Sequence, residues 1–173
     1  MKKLTEYNIP FGGLKAGEHV FTFSVGKEFL ENFDNLDILD IKIEVVVEMV
    51  KNNRLLEFNL FLNGTADFEC DRCLESVSLP VNYNSKLIVK LEDVDEPEDE
   101  IVYLKYDETE FDISRFVYES IVFSAPLRRV HPDDKKGKST CDPEMIKKLE
   151  DLMIKNSKEN KDPRWNELKN LLN

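Results

Sequence analysis

Two cysteines two residues apart, Cys70 and Cys73 in the stretch ECDRCLE (69–75), are the residues of this chain whose type and spacing most directly suggest chemistry. A C-x-x-C pair offers two thiolates on one tight turn, and a closed tetrahedral zinc site needs two more soft or borderline ligands. The remaining residues that could supply them are His131 and Cys141, giving a Cys3His count across a long excursion. The H-x9-C spacing of the second half is longer than the usual three to five residues. A redox pair would sit at a helix start beside a βαβ unit, whereas these cysteines close a strand pattern and are followed by LESVSLPV. Plain packing is the third reading, because free cysteine is among the most buried residue types. Metal site, redox pair and core packing all remain open at this level.

Catalytic machinery is not visible elsewhere. The chain has no Gly-rich phosphate loop, no G-x-S-x-G and only two histidines, His19 and His131, so a non-enzymatic protein without a small-molecule substrate is expected. A net charge of −11 argues against general capture of nucleic acid. The charge is uneven, however. LEDVDEPEDE (91–100) holds seven carboxylates and no base, while LRRVHPDDKKGK (127–138) sets Arg128, Arg129, Lys135, Lys136 and Lys138 against Asp133 and Asp134. These five cations, with Trp165 on a short amphipathic terminal segment, are the candidate partner-binding residues.

The elements that must position these residues are mostly strands. IKIEVVVEMV places Ile41, Ile43, Val45, Val47 and Met49 on one face, KNNR supplies a turn, and Leu56, Phe58, Leu60, Leu62, Ala66 and Phe68 continue an apolar phase that reaches Cys70. Gly64 inside this run predicts a bulge or bend. A strand is expected after Pro80 (Val81, Tyr83, Leu87, Val89, Leu91), with further strands at VFTFSV (20–25) and IVYLKY (101–106). Thr109 and Asp112 form a capping pattern before a helix with Ile113, Phe116, Val117, Ser120 and Ile121 inward, stopping near Pro126. PEMIKKLEDLMIKN (143–156) and DPRWNELKNLL read as two further helices, with SKENKD as a hinge. The expected fold class is α+β: an antiparallel, barrel-like sheet with a packed helix and a C-terminal helical segment. Residues 1–142 would form a single α+β domain and 143–173 a helical extension. Neither a secretion signal nor an apolar span of about 20 residues is present, which predicts a cytoplasmic protein with no membrane partner.

CDRCLE after a long hairpin, then FDISRFVYESIVFSAPLRRVH, a single cysteine and DPRWNELKNLL together resemble the YceD family, the large ribosomal RNA subunit accumulation proteins. The resemblance spans roughly 40–172 through Cys70, Arg72, Cys73, Glu119, Pro126, His131, Cys141, Pro163 and Leu168. It implies a non-enzymatic factor for large-subunit ribosomal RNA accumulation, partnered by the large-subunit precursor through a basic ribosomal protein or the RNA itself. It also suggests zinc, although many relatives carry a further C-x-x-C-G-type cluster where KSTCDPEM has only Cys141. Two other readings stand beside it: a zinc-stabilised protein-interaction module with no ribosomal role, and a thiol oxidoreductase.

Overall fold

The alternating segments form long strands in the computed structural model, which describes residues 5–33, 37–94 and 101–153. A 3-10 turn, Thr5–Tyr7, leads into β1 (Asn8–Pro10), then β2 (Gly17–Gly26) and one helical turn, α1 (Lys27–Leu30). β3 (Ile38–Lys51), β4 (Leu55–Glu69) and β5 (Ser76–Leu91) carry most of the sheet. β6 (Val102–Leu104), β7 (Glu110–Asp112), α2 (Ser114–Ser124) and α3 (Pro143–Leu152) complete the described chain. DPRWNELKNLL, with Trp165, lies outside the described residues, as do SKENKD and residues 95–100 of the acidic stretch.

The five-stranded sheet has the order β2-β3-β4-β5-β6, antiparallel except for β5 and β6, and β1 pairs with β7 in a separate two-stranded sheet. The expected α+β class and the predominantly antiparallel pairing hold. Barrel-like closure does not: the sheet is open, with β2 and β6 as its edges. The short β6 pairs with Val89–Leu91 alone, in parallel, and leaves most of β5 without a neighbour on that side among the described residues. This free edge also explains Pro80, which lies inside β5 opposite Thr65 and not before the strand, since an edge strand tolerates a residue with no N–H to donate.

Strand β4 keeps its period without interruption. Leu56, Phe58, Leu60, Leu62, Ala66, Phe68 and Cys70 are all buried, so the phase is the same before and after Gly64. The expected bulge is not there; pairing with β3 and β5 runs straight through Gly64, opposite Ile43 and Val81, and the irregularity in β3 falls between Ile38 and Asp40. Gly64 is required by close approach. A Cβ there would strike the Lys42 carbonyl oxygen and come 2.8 Å from the Ile43 Cα.

Helix α2 closes one end of the core with Val117, Ser120 and Ile121 inward, and the Ser120 hydroxyl meets that of Ser85 on β5 at 2.8 Å. Its start is one strand later than the Thr109 pattern predicts: Glu110–Asp112 pair with β1, and Asp112 Oδ1 accepts the Ser114 N–H. The helix stops at Ser124, with Ala125 extended ahead of Pro126 as the proline ring demands. An aromatic run, Phe23–Tyr7–Phe29–Phe33–Tyr118, ties β2 and the N-terminal turn to α2 through ring centroids 4.2–5.3 Å apart.

Gly64→Ala should lower stability by about 1–3 kcal/mol, the range for overpacking a site that cannot relax, because backbone occupies the new methyl's position. Gly13→Ala, with nothing within 4 Å, is the neutral control. Urea unfolding midpoints of the two variants check the contrast.

Candidate metal centre

Sequence positions 70, 73, 131 and 141 meet at one point. The Cys70, Cys73 and Cys141 Sγ atoms and a ring nitrogen of His131 all lie within 4.8 Å of one another. Cys70 ends the buried phase of β4, and the next four residues form a knuckle closed by Leu74 N–H to Cys70 O (2.9 Å) and Cys70 N–H to Glu75 O (2.8 Å). Leu74 takes φ 62 to make this reversal. The knuckle returns the chain into β5 with Cys73 facing the same point as Cys70.

The other two ligand positions come from the segment after α2. His131 and Cys141 are brought side by side by a hairpin across 132–140, which absorbs the long H-x9-C spacing. Asp133 bridges Ser139, Asp134 Oδ1 accepts the Lys136 and Lys138 N–H groups at 2.7 and 2.9 Å, and Gly137 at φ +75 makes the reversal. Thr140 Oγ1 donates to Pro132 O across its base. Immediately after Cys141, Asp142 caps α3 by accepting the Glu144 and Met145 N–H groups.

Three of the six distances between ligand atoms are close to the edges of a tetrahedral ion, and all six lie within 4.8 Å. Cys70 Sγ–Cys141 Sγ is 3.7 Å, Cys73 Sγ–His131 Nδ1 3.5 Å and Cys141 Sγ–His131 Nδ1 3.8 Å. A tetrahedron with Zn–S of ~2.3 Å and Zn–N of ~2.0 Å has edges of ~3.8 Å between sulfurs and ~3.6 Å from sulfur to nitrogen. A disulfide would need ~2.05 Å between sulfurs, so all three cysteines are free thiols at ligand spacing. His131 Nε2–H donates to the Ser76 carbonyl at 3.2 Å, leaving Nδ1 to face the sulfurs. That outer bond is the usual way a ligating histidine has its tautomer and ring plane fixed.

The backbone is also arranged for thiolates. Burial pushes the Cys70 thiol up, but N–H groups of Cys73, Arg72 and His131, together with the His131 ring, outweigh burial and bring it from 9.0 down to about 6. Cys73 is raised, chiefly by burial and further by the neighbouring Cys70 and Cys141, against N–H bonds from Asp142 and Glu75. His131 is raised by its bonds to Cys70 and Cys141, against burial. Without a metal, then, the fold favours a Cys70 thiolate beside a His131 imidazolium. With all three cysteines buried, the thiols are better placed to hold an ion than to meet a disulfide substrate.

Of the candidate partner-binding residues, Arg128, Lys135, Lys136 and Lys138 are exposed. Arg129 is engaged internally: its guanidinium lies 4.7 Å over the Phe68 ring and 3.3 Å from Asp37, and its main chain is clamped by Asp71. Asp71 Oδ2 accepts the Arg129 N–H at 2.6 Å and Asp71 N–H donates to Arg129 O at 2.7 Å, locking the knuckle to the incoming loop. Sequence reasoning missed Asp71, Ser76 and the N–H groups around the sulfurs. Only Asp142, ahead of Pro143, carried a cap signature that could have been read.

An open, mostly antiparallel sheet whose central strand ends in a Cys3His cluster with buried thiols, built from a knuckle and a hairpin, defines an α+β protein with a candidate metal centre. The family described as large ribosomal RNA subunit accumulation protein YceD matches residues 58–172, more than half of the chain and a span that includes all four cluster residues. The chain belongs to the YceD family. No curated protein and no solved structure matches it.

In the metal-free protein the stability contributed by Cys70 should fall progressively as pH drops from about 9 through about 6. A folded-state pKa depressed from 9.0 contributes stability that is present above 9.0 and lost on acidification through the folded value. The His131 contribution has the opposite sign, present below 6.5 and lost as pH rises through its raised value, so it offsets part of the acid loss, and the comparison with Cys70→Ser isolates the thiol's share. Thermal melts in chelator at pH 7.5 and 5 should show the drop, and Cys70→Ser should flatten it.

Proposed function

We propose that this protein is a non-enzymatic cytoplasmic factor for accumulation of large-subunit ribosomal RNA, stapled by one zinc ion and acting by binding a partner in the large-subunit precursor. The YceD match, over a span holding the complete ligand set, is the observation that carries this reading. When bound, zinc would join the end of β4 and the start of β5, already paired in the sheet, to the 132–140 hairpin and the cap of α3. Cys70, Cys73, His131 and Cys141 are the proposed ligands. The buried thiols and the edge lengths support a closed structural site over a catalytic one, which would keep a position open.

Domain organisation is proposed as residues 1–142 followed by a helical extension at 143–173, supported by an α3 with no fully buried residue. Among partners, a basic ribosomal protein is favoured over bare RNA because a chain of net charge −11 repels phosphate at long range. Arg128, Lys135, Lys136 and Lys138 are then local contacts at the particle surface.

Protein purified without chelator should carry about one equivalent of zinc, and Cys141→Ser less than about a tenth, since a closed site retains its ion through purification. Chelation should lower the thermal midpoint by roughly 10 °C, as expected for loss of a ligand held some thousandfold below its working concentration. Zinc binding should release protons, including the one burial keeps on Cys73, so affinity rises with pH. In cells, deleting the chain should lower the ratio of large- to small-subunit ribosomal RNA. An unchanged ratio would remove the ribosomal role and leave a zinc-stapled interaction module.

A further inference from the structure

The knuckle has an outer face that the metal centre does not use. Leu74 adopts the left-handed conformation, which costs a non-glycine residue about 1–2 kcal/mol, yet its side chain is 64% exposed. The reversal explains the backbone angle, and glycine would serve it better. Nothing inside the fold explains a leucine.

A second, unrelated device turns another leucine toward the same place. Leu39 sits at the β3 irregularity between Ile38 and Asp40, where the extra residue escapes the inward alternation and is 41% exposed. Leu39 and Leu74 line one groove of about 280 Å³ with Asp37, Glu69, Asp71 and Arg129. Three carboxylates against one guanidinium make this a mostly polar groove of negative charge into which two leucines project. Arg129 is turned onto Phe68 and Asp37, and Asp71 is engaged with the Arg129 main chain, so Glu69 is the groove carboxylate whose side chain has neither an ion pair nor a hydrogen bond among the described residues.

We infer that this groove is a docking site for a basic segment of a partner protein, one that places an apolar side chain between Leu39 and Leu74 and a lysine or arginine against Glu69. Charge selects the occupant: carboxylates at the rim attract a cationic peptide and repel an RNA backbone. At about 280 Å³ the groove has room for one or two side chains. The metal centre supplies rigidity, since Cys70 forms the groove's floor while its sulfur faces the cluster. This deepens the proposed function by naming the surface and the partner chemistry.

The test uses the full chain on an array of 15-residue peptides tiling the large-subunit ribosomal proteins, with a uridine 12-mer RNA as the competing probe. Bound peptides should carry Lys or Arg beside Leu, Ile or Val. Leu74→Gly and Glu69→Lys should each weaken the best of them about tenfold or more, as truncation of an interface anchor does. Zinc content should stay at the parent value and the thermal midpoint should not fall, since glycine relieves the left-handed strain at position 74. Absence of any bound peptide, binding unchanged in both variants, or a preference for the RNA probe would overturn the inference. Ribosomal RNA ratios in the deletion strain are scored separately: lowered ratios with unaltered peptide binding reject the groove alone, and unaltered ratios with groove-dependent binding reject the ribosomal role alone.

Discussion

The register of β4 is the constraint on which the rest of the structure depends. Side chains alternate across a strand with period two, so a slip of one residue would exchange its buried and exposed faces. From Leu56 to Cys70 the inward face of this central strand is almost completely buried, and both long neighbours, β3 and β5, take their pairing from it. Gly64 preserves the phase. Any side chain at that point would push β3 away or force a bulge, and a bulge there would deliver Cys70 to the wrong side of the sheet. A glycine in the middle of β4 therefore decides on which side of the sheet Cys70 arrives, and with it whether the four ligands can meet.

The cluster in turn organises the segments that the sheet cannot. After α2 the chain passes through 125–142 with few buried apolar side chains, and hydrophobic burial alone supplies little to order it. Three features hold it: the two-way Asp71–Arg129 clamp, Arg129 stacked over Phe68, and the convergence of His131 and Cys141 on the knuckle. Three thiols and an imidazole brought together out of water are costly unless every proton and lone pair has a partner. The N–H groups directed at Cys70 and Cys73 and the Ser76 carbonyl on His131 meet part of that requirement, and a divalent ion at the centre would meet the remainder.

Most of the sheet was legible because its signal is local. The alternation in β3, β4 and β5 and the inward face of α2 follow from residue type at period 2 or 3.6, and Cys70 could be placed on the core side from phase alone. What failed depends on partners remote in sequence. Barrel closure is decided by whether edge strands meet, the parallel pairing of β6 by its register on Val89–Leu91, and Gly64's role by the backbone of another strand. The four ligand positions were readable as a set from scarcity, since so few soft side chains exist. Their convergence was not, because the hairpin that closes the H-x9-C gap is written in Asp134 and Gly137 and not in the ligands.

The knuckle works on two sides, and the two requirements are physically separable. Inward, its turn must present Cys70 and Cys73 with main-chain N–H groups aimed at sulfur, a demand on backbone conformation that glycine at position 74 would satisfy. Outward, the same turn carries an exposed leucine in a conformation that disfavours it, beside a second leucine released by a β-bulge. A structural role alone accounts for the first and leaves the second as unexplained cost. Rigid elements position binding groups better than mobile loops, and a metal-anchored turn is about as rigid as a surface turn becomes. On the proposed reading the cluster serves the surface above it: an ion bound by the four ligands would fix the knuckle, the knuckle would fix Leu74, and an acidic protein would thereby gain a shaped contact for a cationic partner.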